Sequence, residues 1–286
     1  MERLTSPRTI EEILKRHGFT MNKRFGQNFL TDENIVNKII DSGEITKEDT
    51  VLEIGPGIGT MTRPLCDRAK SVIAVEIDRM LIPILKENLS DKTNLILLNE
   101  DIMKLDIKNE IEKLGVKSFK VVANLPYYIT TPIIMGLLEK NLPIESITVM
   151  IQKEVAERIT AKPGGKDYGA LTVACGYYTD PTLAFVVPST VFFPRPKVDS
   201  AVINMKVRKE EMMEPLEKKV FFSVVKAAFA NRRKTLLNSL SNNLPIGKDK
   251  VKEILEVSEI QENRRAETLD FDDFSRLAKA YINITV

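Results

Sequence analysis

The sequence predicts an α/β fold followed by a smaller α-helical domain. Three observations carry that expectation. Between residues 51 and 152, short apolar runs alternate with helix-like stretches, the pattern of βαβ units on a mostly parallel sheet. A glycine cluster, EIGPGIGT at 53–60, follows the first of these runs, where an open α/β sheet takes a ligand. Beyond about residue 210, apolar side chains recur at helical spacing, as in Phe221, Phe222, Val225, Ala228 and Phe229.

The elements follow in order. TIEEILKRHG at 9–18 reads as a short helix ended by Gly18, and KRFGQNFL at 23–30 as a polar loop. Thr31 or Asp32 can cap a helix whose Ile35, Val36, Ile39 and Ile40 share a face. Strands are expected at 51–55, 71–78, 94–101, 119–125 and 146–152, with helices near 60–68, 79–89 and 131–140. AKPGGKDYG at 161–169 is a loop, strands at 182–187 and 200–207 finish the sheet, and the helical part resumes at 271–282 after a break at 244–250. The expected domains are 1–209, α/β with an N-terminal helical extension, and 210–286, helical.

Composition excludes several classes. The chain has 286 residues, 43% hydrophobic and 29% charged, with a net charge of +2. That is ordinary for a globular protein, and any basic surface must be local. One histidine, His17, and two separated cysteines, Cys66 and Cys175, do not make a zinc site, so no metal is expected. Both cysteines lie in apolar surroundings and read as buried free thiols of a reducing cytosol. No apolar run reaches the roughly 18 residues of a membrane span, and the charged N-terminus lacks a signal core. A cytoplasmic protein is expected.

The glycine spacing is informative. Dinucleotide sites use G-x-G-x-x-G with a helix N-terminus facing pyrophosphate. Here Gly55, Gly57 and Gly59 form G-x-G-x-G behind Glu53. An acid is unhelpful for phosphate but tolerable for S-adenosyl-L-methionine, which carries a sulfonium and an ammonium. Glu76 ends the second strand, where a carboxylate can accept both ribose hydroxyls. Asp101 ends the third, where one can accept from an adenine amine.

Asn124-Leu125-Pro126-Tyr127 ends the fourth strand. An adenine amine is a poor nucleophile because its lone pair is delocalised into the ring. Two acceptors, the Asn124 side-chain carbonyl and the Leu125 main-chain carbonyl, can pull it toward tetrahedral geometry. Pro126 fixes the bend, and Tyr127 offers a face to an unstacked base. The methylated amine loses its proton readily, so no histidine base is needed. Tyr128 has no role in this scheme and is expected in the core.

At this point the chain resembles the ribosomal RNA adenine dimethyltransferases of the KsgA type. The resemblance runs through GQNFL (26–30), EIGPGIG, VEID, NEDIMKLD, NLPY, KPGGKDYGALTV, FFPRPKVDSAV and NRRKTLLNSL, over essentially the whole length. It implies a Rossmann-like S-adenosylmethionine-dependent methyltransferase domain and a C-terminal domain that binds RNA or the ribosome. It implies cofactor contacts for Asn28, Leu30, Gly55, Glu76, Asp101 and Asn124, with Gln27 and Gly57 as further candidates. Phe192 matches a phenylalanine that stacks on the target base opposite Tyr127. The implied reaction dimethylates two adjacent adenosines in a hairpin near the 3′ end of small-subunit RNA, within an assembling small subunit. A monomer is expected.

Basic residues that could follow RNA phosphates are Lys23 and Arg24, Lys162 and Lys166, Lys219 and Lys226 on one helix face, and Arg232, Arg233 and Lys234. Two other readings share these motifs. One is a large-subunit RNA adenine methyltransferase of the resistance type; the other is a non-catalytic RNA-binding relative. A dehydrogenase is disfavoured by the glycine spacing and the missing catalytic histidine.

Overall fold

The alternation becomes a seven-stranded sheet in the computed structural model, which describes residues 3–21 and 26–285. Helix α1 (Pro7–Arg16), the short strand β1 (Phe29–Leu30) and α2 (Glu33–Ser42) come first. Next come β2 (Thr50–Ile54), α3 (Thr62–Arg68), β3 (Ser71–Val75), α4 (Leu81–Asn88), β4 (Leu95–Leu98), α5 (Ile107–Lys113), β5 (Phe119–Asn124), α6 (Thr130–Glu139) and β6 (Ile144–Gln152). They are followed by α7 (Lys153–Ile159), α8 (Ala170–Tyr178), β7 (Thr179–Val187), β8 (Phe192–Phe193) and β9 (Ser200–Val207). The chain ends with α9 (Pro215–Phe229), α10 (Leu236–Asn243), α11 (Lys248–Val257) and α12 (Phe271–Thr285).

The sheet order is β4-β3-β2-β5-β6-β9-β7. Strands β4, β3, β2, β5 and β6 run parallel, and β9 lies antiparallel to β6. All five residues of β2 are buried, as a central parallel strand covered by helices requires. Helix α2 shows how its covering face is set. The Asp32 carboxylate accepts from the N–H groups of Asn34 and Ile35 at 2.8 and 3.3 Å, capping the first turn. Val36, Ile39 and Ile40 then fall on one buried face. A separate two-stranded ribbon pairs β1 antiparallel with β8, Leu30 opposite Phe192.

The chain forms two compact units, one of residues up to Ala156 with Pro181–Val207, the other of Glu157–Asp180 with Arg208–Val286. Residues 157–180 thus group with the C-terminal part, whereas the expected division at 209/210 has them in the first domain. The reason is apolar packing: Tyr168, Val173 and Tyr177 belong to the same core as Phe221, Leu240 and Phe274. Within that second unit, the Tyr177 and Phe221 ring centroids lie 5.7 Å apart. The buried Ser239 hydroxyl donates to the Ala227 and Ala228 carbonyls at 2.8 and 2.9 Å, closing the end of α9. Helices α5, α7 and α8 were not anticipated. The segment ALTVACGYY of α8 is apolar on nearly every side, so no helical stripe marks it.

Candidate active site

The chain order reverses direction at β2: β3 and β4 extend the sheet one way, β5 and β6 the other. The loops after β2 and β5 therefore face one another across a crevice, the topological switch point of an open sheet. After β2, the Gly55 N–H donates to the Val75 carbonyl at 3.0 Å, and the backbone turns through positive φ at Gly55 and Gly57. At Gly57 the glycine is required twice. Its φ is +63°, and a Cβ there would lie 3.1 Å from the Phe29 ring. An alanine at Gly57 must strain both the backbone and the packing.

Two acids face the crevice. Glu76, directly after β3, is 4% exposed. One carboxylate oxygen accepts from the Gly57 N–H at 3.1 Å and the other from the Asp78 N–H at 2.8 Å. Each oxygen keeps a second lone pair for a ligand hydroxyl. Burial pushes its carboxyl up to about 7 and the Asp78 charge adds to this, against the pull of the backbone N–H groups. Glu53, inside β2, has no exposed surface, and neither carboxylate oxygen has a hydrogen-bond partner. Burial raises it to about 8; the nearby Thr62 hydroxyl offsets part of that without reaching hydrogen-bond geometry, and Glu76 raises it further. An ionised carboxylate so placed costs several kcal/mol, so Glu53 holds a proton near neutral pH unless a cation arrives.

The end of β5 supplies the opposite wall. The Asn124 side-chain N–H donates to the Asn28 carbonyl at 3.1 Å. That bond fixes the amide and turns its carbonyl oxygen away from the Asn28 backbone. The Leu125 N–H donates to the Met150 carbonyl at 3.1 Å, continuing the pairing with β6. Pro126 opens a four-residue turn closed by the Ile129 N–H on the Pro126 carbonyl at 3.2 Å. The Tyr127 hydroxyl shares a 2.7 Å hydrogen bond with the Ser200 hydroxyl. Burial raises its pKa, Ser200 opposes the rise and Asp199 adds to it. The neighbouring Gln27 side chain donates to Asp78 at 2.8 Å.

One cavity of about 830 Å³, including its open mouth, gathers most of the expected residues. Gln27, Asn28, Leu30, Gly55, Gly57, Glu76, Asn124, Leu125, Pro126 and Tyr127 all line it. Among the described residues its lining contains two carboxylates, Glu53 and Glu76, and no lysine, arginine or histidine. Such a wall disfavours phosphate and suits a cation.

Other expected residues lie elsewhere. Asp101 is half-buried beyond β4, outside this lining, where its carboxylate accepts from the Met103 N–H at 3.0 Å. Phe192 is 5% exposed, inside the core cluster of Val36, Val122 and Met150. Its partner across the two-stranded ribbon is Leu30. Tyr128, expected in the core, is instead 59% exposed and lines the cavity. Lys162, Lys166, Lys219, Lys226, Arg232, Arg233 and Lys234 are all exposed in the second unit, without ion pairs among the described residues. Lys23 and Arg24 lie outside the described residues. Sequence reasoning passed over Phe29, whose ring packs against Gly57. It also left Glu53 with no role beyond its charge, although an acid in the middle of an apolar strand is itself the signal.

Comparison with known proteins shows the family. The family described as ribosomal RNA adenine dimethylase matches residues 18–281. A protein of Alkaliphilus oremlandii named ribosomal RNA small subunit methyltransferase A is 48% identical over 280 residues, covering 97% of this chain and 98% of its own. Its namesake in Geobacillus thermodenitrificans is 50% identical over 282 residues, covering 97% and 96%. Among solved structures, a dimethyladenosine transferase from Plasmodium falciparum superposes with a TM-score of 0.76 at 26% identity, covering 90% of this chain and 98% of that one. The 23S rRNA methyltransferase ErmE gives 0.69 at 29%, covering 88% and 98%. The chain belongs to the ribosomal RNA adenine dimethylase family.

Proposed function

We propose that the protein dimethylates the exocyclic amines of two adjacent adenosines in a hairpin near the 3′ end of small-subunit ribosomal RNA. The observation that carries this reading is the Asn124 amide, tethered by its N–H to the Asn28 carbonyl at 3.1 Å, on the wall of a cavity lined by the carboxylates of Glu53 and Glu76. A fixed carbonyl oxygen is the acceptor an adenine amine needs, and the carboxylates fit a cationic methyl donor.

S-adenosyl-L-methionine, when bound, supplies a methyl group on a sulfonium and leaves as S-adenosyl-L-homocysteine. Glu76 would accept from its ribose hydroxyls, and Gly55 and Gly57 would let the backbone approach closely. Gln27, Asn28 and Leu30 would hold its methionine part, and Asp101 would accept from its adenine amine. Asn124 and the Leu125 carbonyl orient the target amine. Pro126 keeps their spacing, and Tyr127, anchored through Ser200, supplies a ring face to the flipped base. Rate comes from this positioning and from electrostatic fit to the reacting centre. The product amine sheds its proton to solvent through the open mouth.

The basic residues of the second unit grip RNA phosphates, and Lys23 and Arg24 add to them. The protein acts as a monomer in the cytoplasm, on an assembling small subunit. Near-half identity to the small-subunit enzymes, against 29% to ErmE, favours this substrate over large-subunit RNA. Labelled methyl transfer to under-methylated small subunits, followed by nucleoside analysis, tests the reading. Dimethyladenosine is expected from the parent protein. No product from the parent, or transfer only to large subunits, refutes the proposal.

A further inference from the structure

The turn after β5 carries two consecutive tyrosines with opposite fates. Tyr127 is half-buried and tied through its hydroxyl to Ser200. Tyr128 is 59% exposed, and its hydroxyl makes no hydrogen bond among the described residues. Both are central residues of the turn closed between Pro126 and Ile129, so the turn aims them differently. Thr130 locks that turn further, its hydroxyl donating to the Pro126 carbonyl at 3.1 Å.

Tyr128 is exposed but not loose. A Cβ built on Gly26 would lie 3.7 Å from the Tyr128 ring and 3.8 Å from Pro126. One ring edge is thus seated over the Gly26 backbone, while the rest stands open at the cavity wall. A tyrosine ring seated on an edge and open on its face offers a rigid, sequence-tolerant platform for a nucleobase, with few side-chain torsions to freeze. Phe192 lies in the core, which leaves Tyr128 as the open aromatic neighbour of Tyr127.

We propose that Tyr128 stacks on the nucleotide adjoining the target adenine, holding that neighbour at the cavity mouth while Tyr127 faces the base inside. The inference rests on the proposed adenine methylation. It assigns the two rings of the turn to two consecutive bases, which suits a substrate whose modified adenosines are themselves consecutive.

The test compares Tyr128→Ala, Tyr128→Leu and Tyr128→Phe with the parent on under-methylated small subunits. S-adenosyl-L-homocysteine affinity by calorimetry and the melting temperature are measured alongside. Stacking predicts a KM for subunits raised about tenfold in the alanine and leucine variants, since a base–aromatic stack contributes several-fold to a hundredfold in affinity. The phenylalanine variant should match the parent, and cofactor affinity and melting temperature should stay at parent values in all three. Parent-like KM in the leucine variant overturns the proposal, because bulk without a ring then suffices. An alanine-like phenylalanine variant also overturns it, because the hydroxyl is then the contact. Weakened S-adenosyl-L-homocysteine binding in the alanine variant overturns it in favour of a cavity-wall role. Failure of the parent to make dimethyladenosine strikes the underlying reading; an active parent with indifferent variants strikes this inference alone.

Discussion

The cavity of the first unit and the surface of the second handle charge in opposite ways. The cavity lining holds two carboxylates and, among the described residues, no basic side chain. The second unit holds Lys162, Lys166, Lys219, Lys226, Arg232, Arg233 and Lys234 in solvent, unpaired among the described residues. A net charge of +2 conceals this division. Charge matters here by its placement: buried acids act on one small cation at short range, whereas exposed cations act on a polyanion and are screened by salt.

The division can be broken from either side. The largest effect is expected at the cavity wall. Asn124→Ala should lower kcat by roughly 100- to 1,000-fold, the usual cost of deleting one pre-aimed polar group. Steady-state kinetics on small subunits checks this, and RNA affinity should hold. Glu76→Ala comes next. Losing charge-assisted bonds to two hydroxyls should weaken S-adenosyl-L-methionine roughly 10- to 100-fold, measurable by calorimetry, again without change in RNA affinity.

The reciprocal cut is Arg232→Glu with Arg233→Glu. Small-subunit binding should fall about tenfold, and the log–log salt slope should drop by about one to two, the value for two lost phosphate contacts. Cofactor affinity should stay constant. Equal salt slopes for variant and parent would remove these arginines from the phosphate track and with them the contrast drawn above.

The smallest effect sharpens the inward side. The folded-state pKa of Glu53 is about 8, raised by burial above the ordinary carboxylate value. A raised carboxyl stabilises the folded chain fully below the unfolded pKa and loses that contribution as pH climbs to about 8. The ligand-free protein should therefore lose roughly a few degrees of melting temperature between pH 6 and pH 9. Glu53→Gln, which cannot ionise, should make that profile shallower in differential scanning fluorimetry, the remaining slope coming from Glu76, which burial raises to about 7. Parallel profiles would mean that Glu53 holds no proton.

The parallel sheet and the crevice were legible because their signals are local. A strand followed by glycines, and a strand ending in Asn-Leu-Pro-Tyr, announce themselves within a few residues. What escaped depended on distant partners. Tyr128 has no role in the amine-orienting scheme and is expected in the core; its exposure follows from a turn that assigns Tyr127 to Ser200, 73 residues away. The burial of Phe192 beside Val36, Val122 and Met150 likewise comes from elements far apart in the chain. Residues 157–180 carry no charge or glycine pattern that assigns them to a unit; three buried side chains do.

The tether between Asn124 and Asn28 also sets an order of events during synthesis. Asn28 sits beside the ribbon that pairs Phe29 and Leu30 with Phe193 and Phe192. Those partners leave the ribosome more than 160 residues after the strand they must seat. The parallel core from Thr50 to Gln152 can assemble earlier, from contacts closer in sequence. The floor of the cavity therefore closes after its walls, and a nascent chain halted before Phe192 has the parallel strands β2 to β6 but neither β9 nor the ribbon that seats its N-terminal strand.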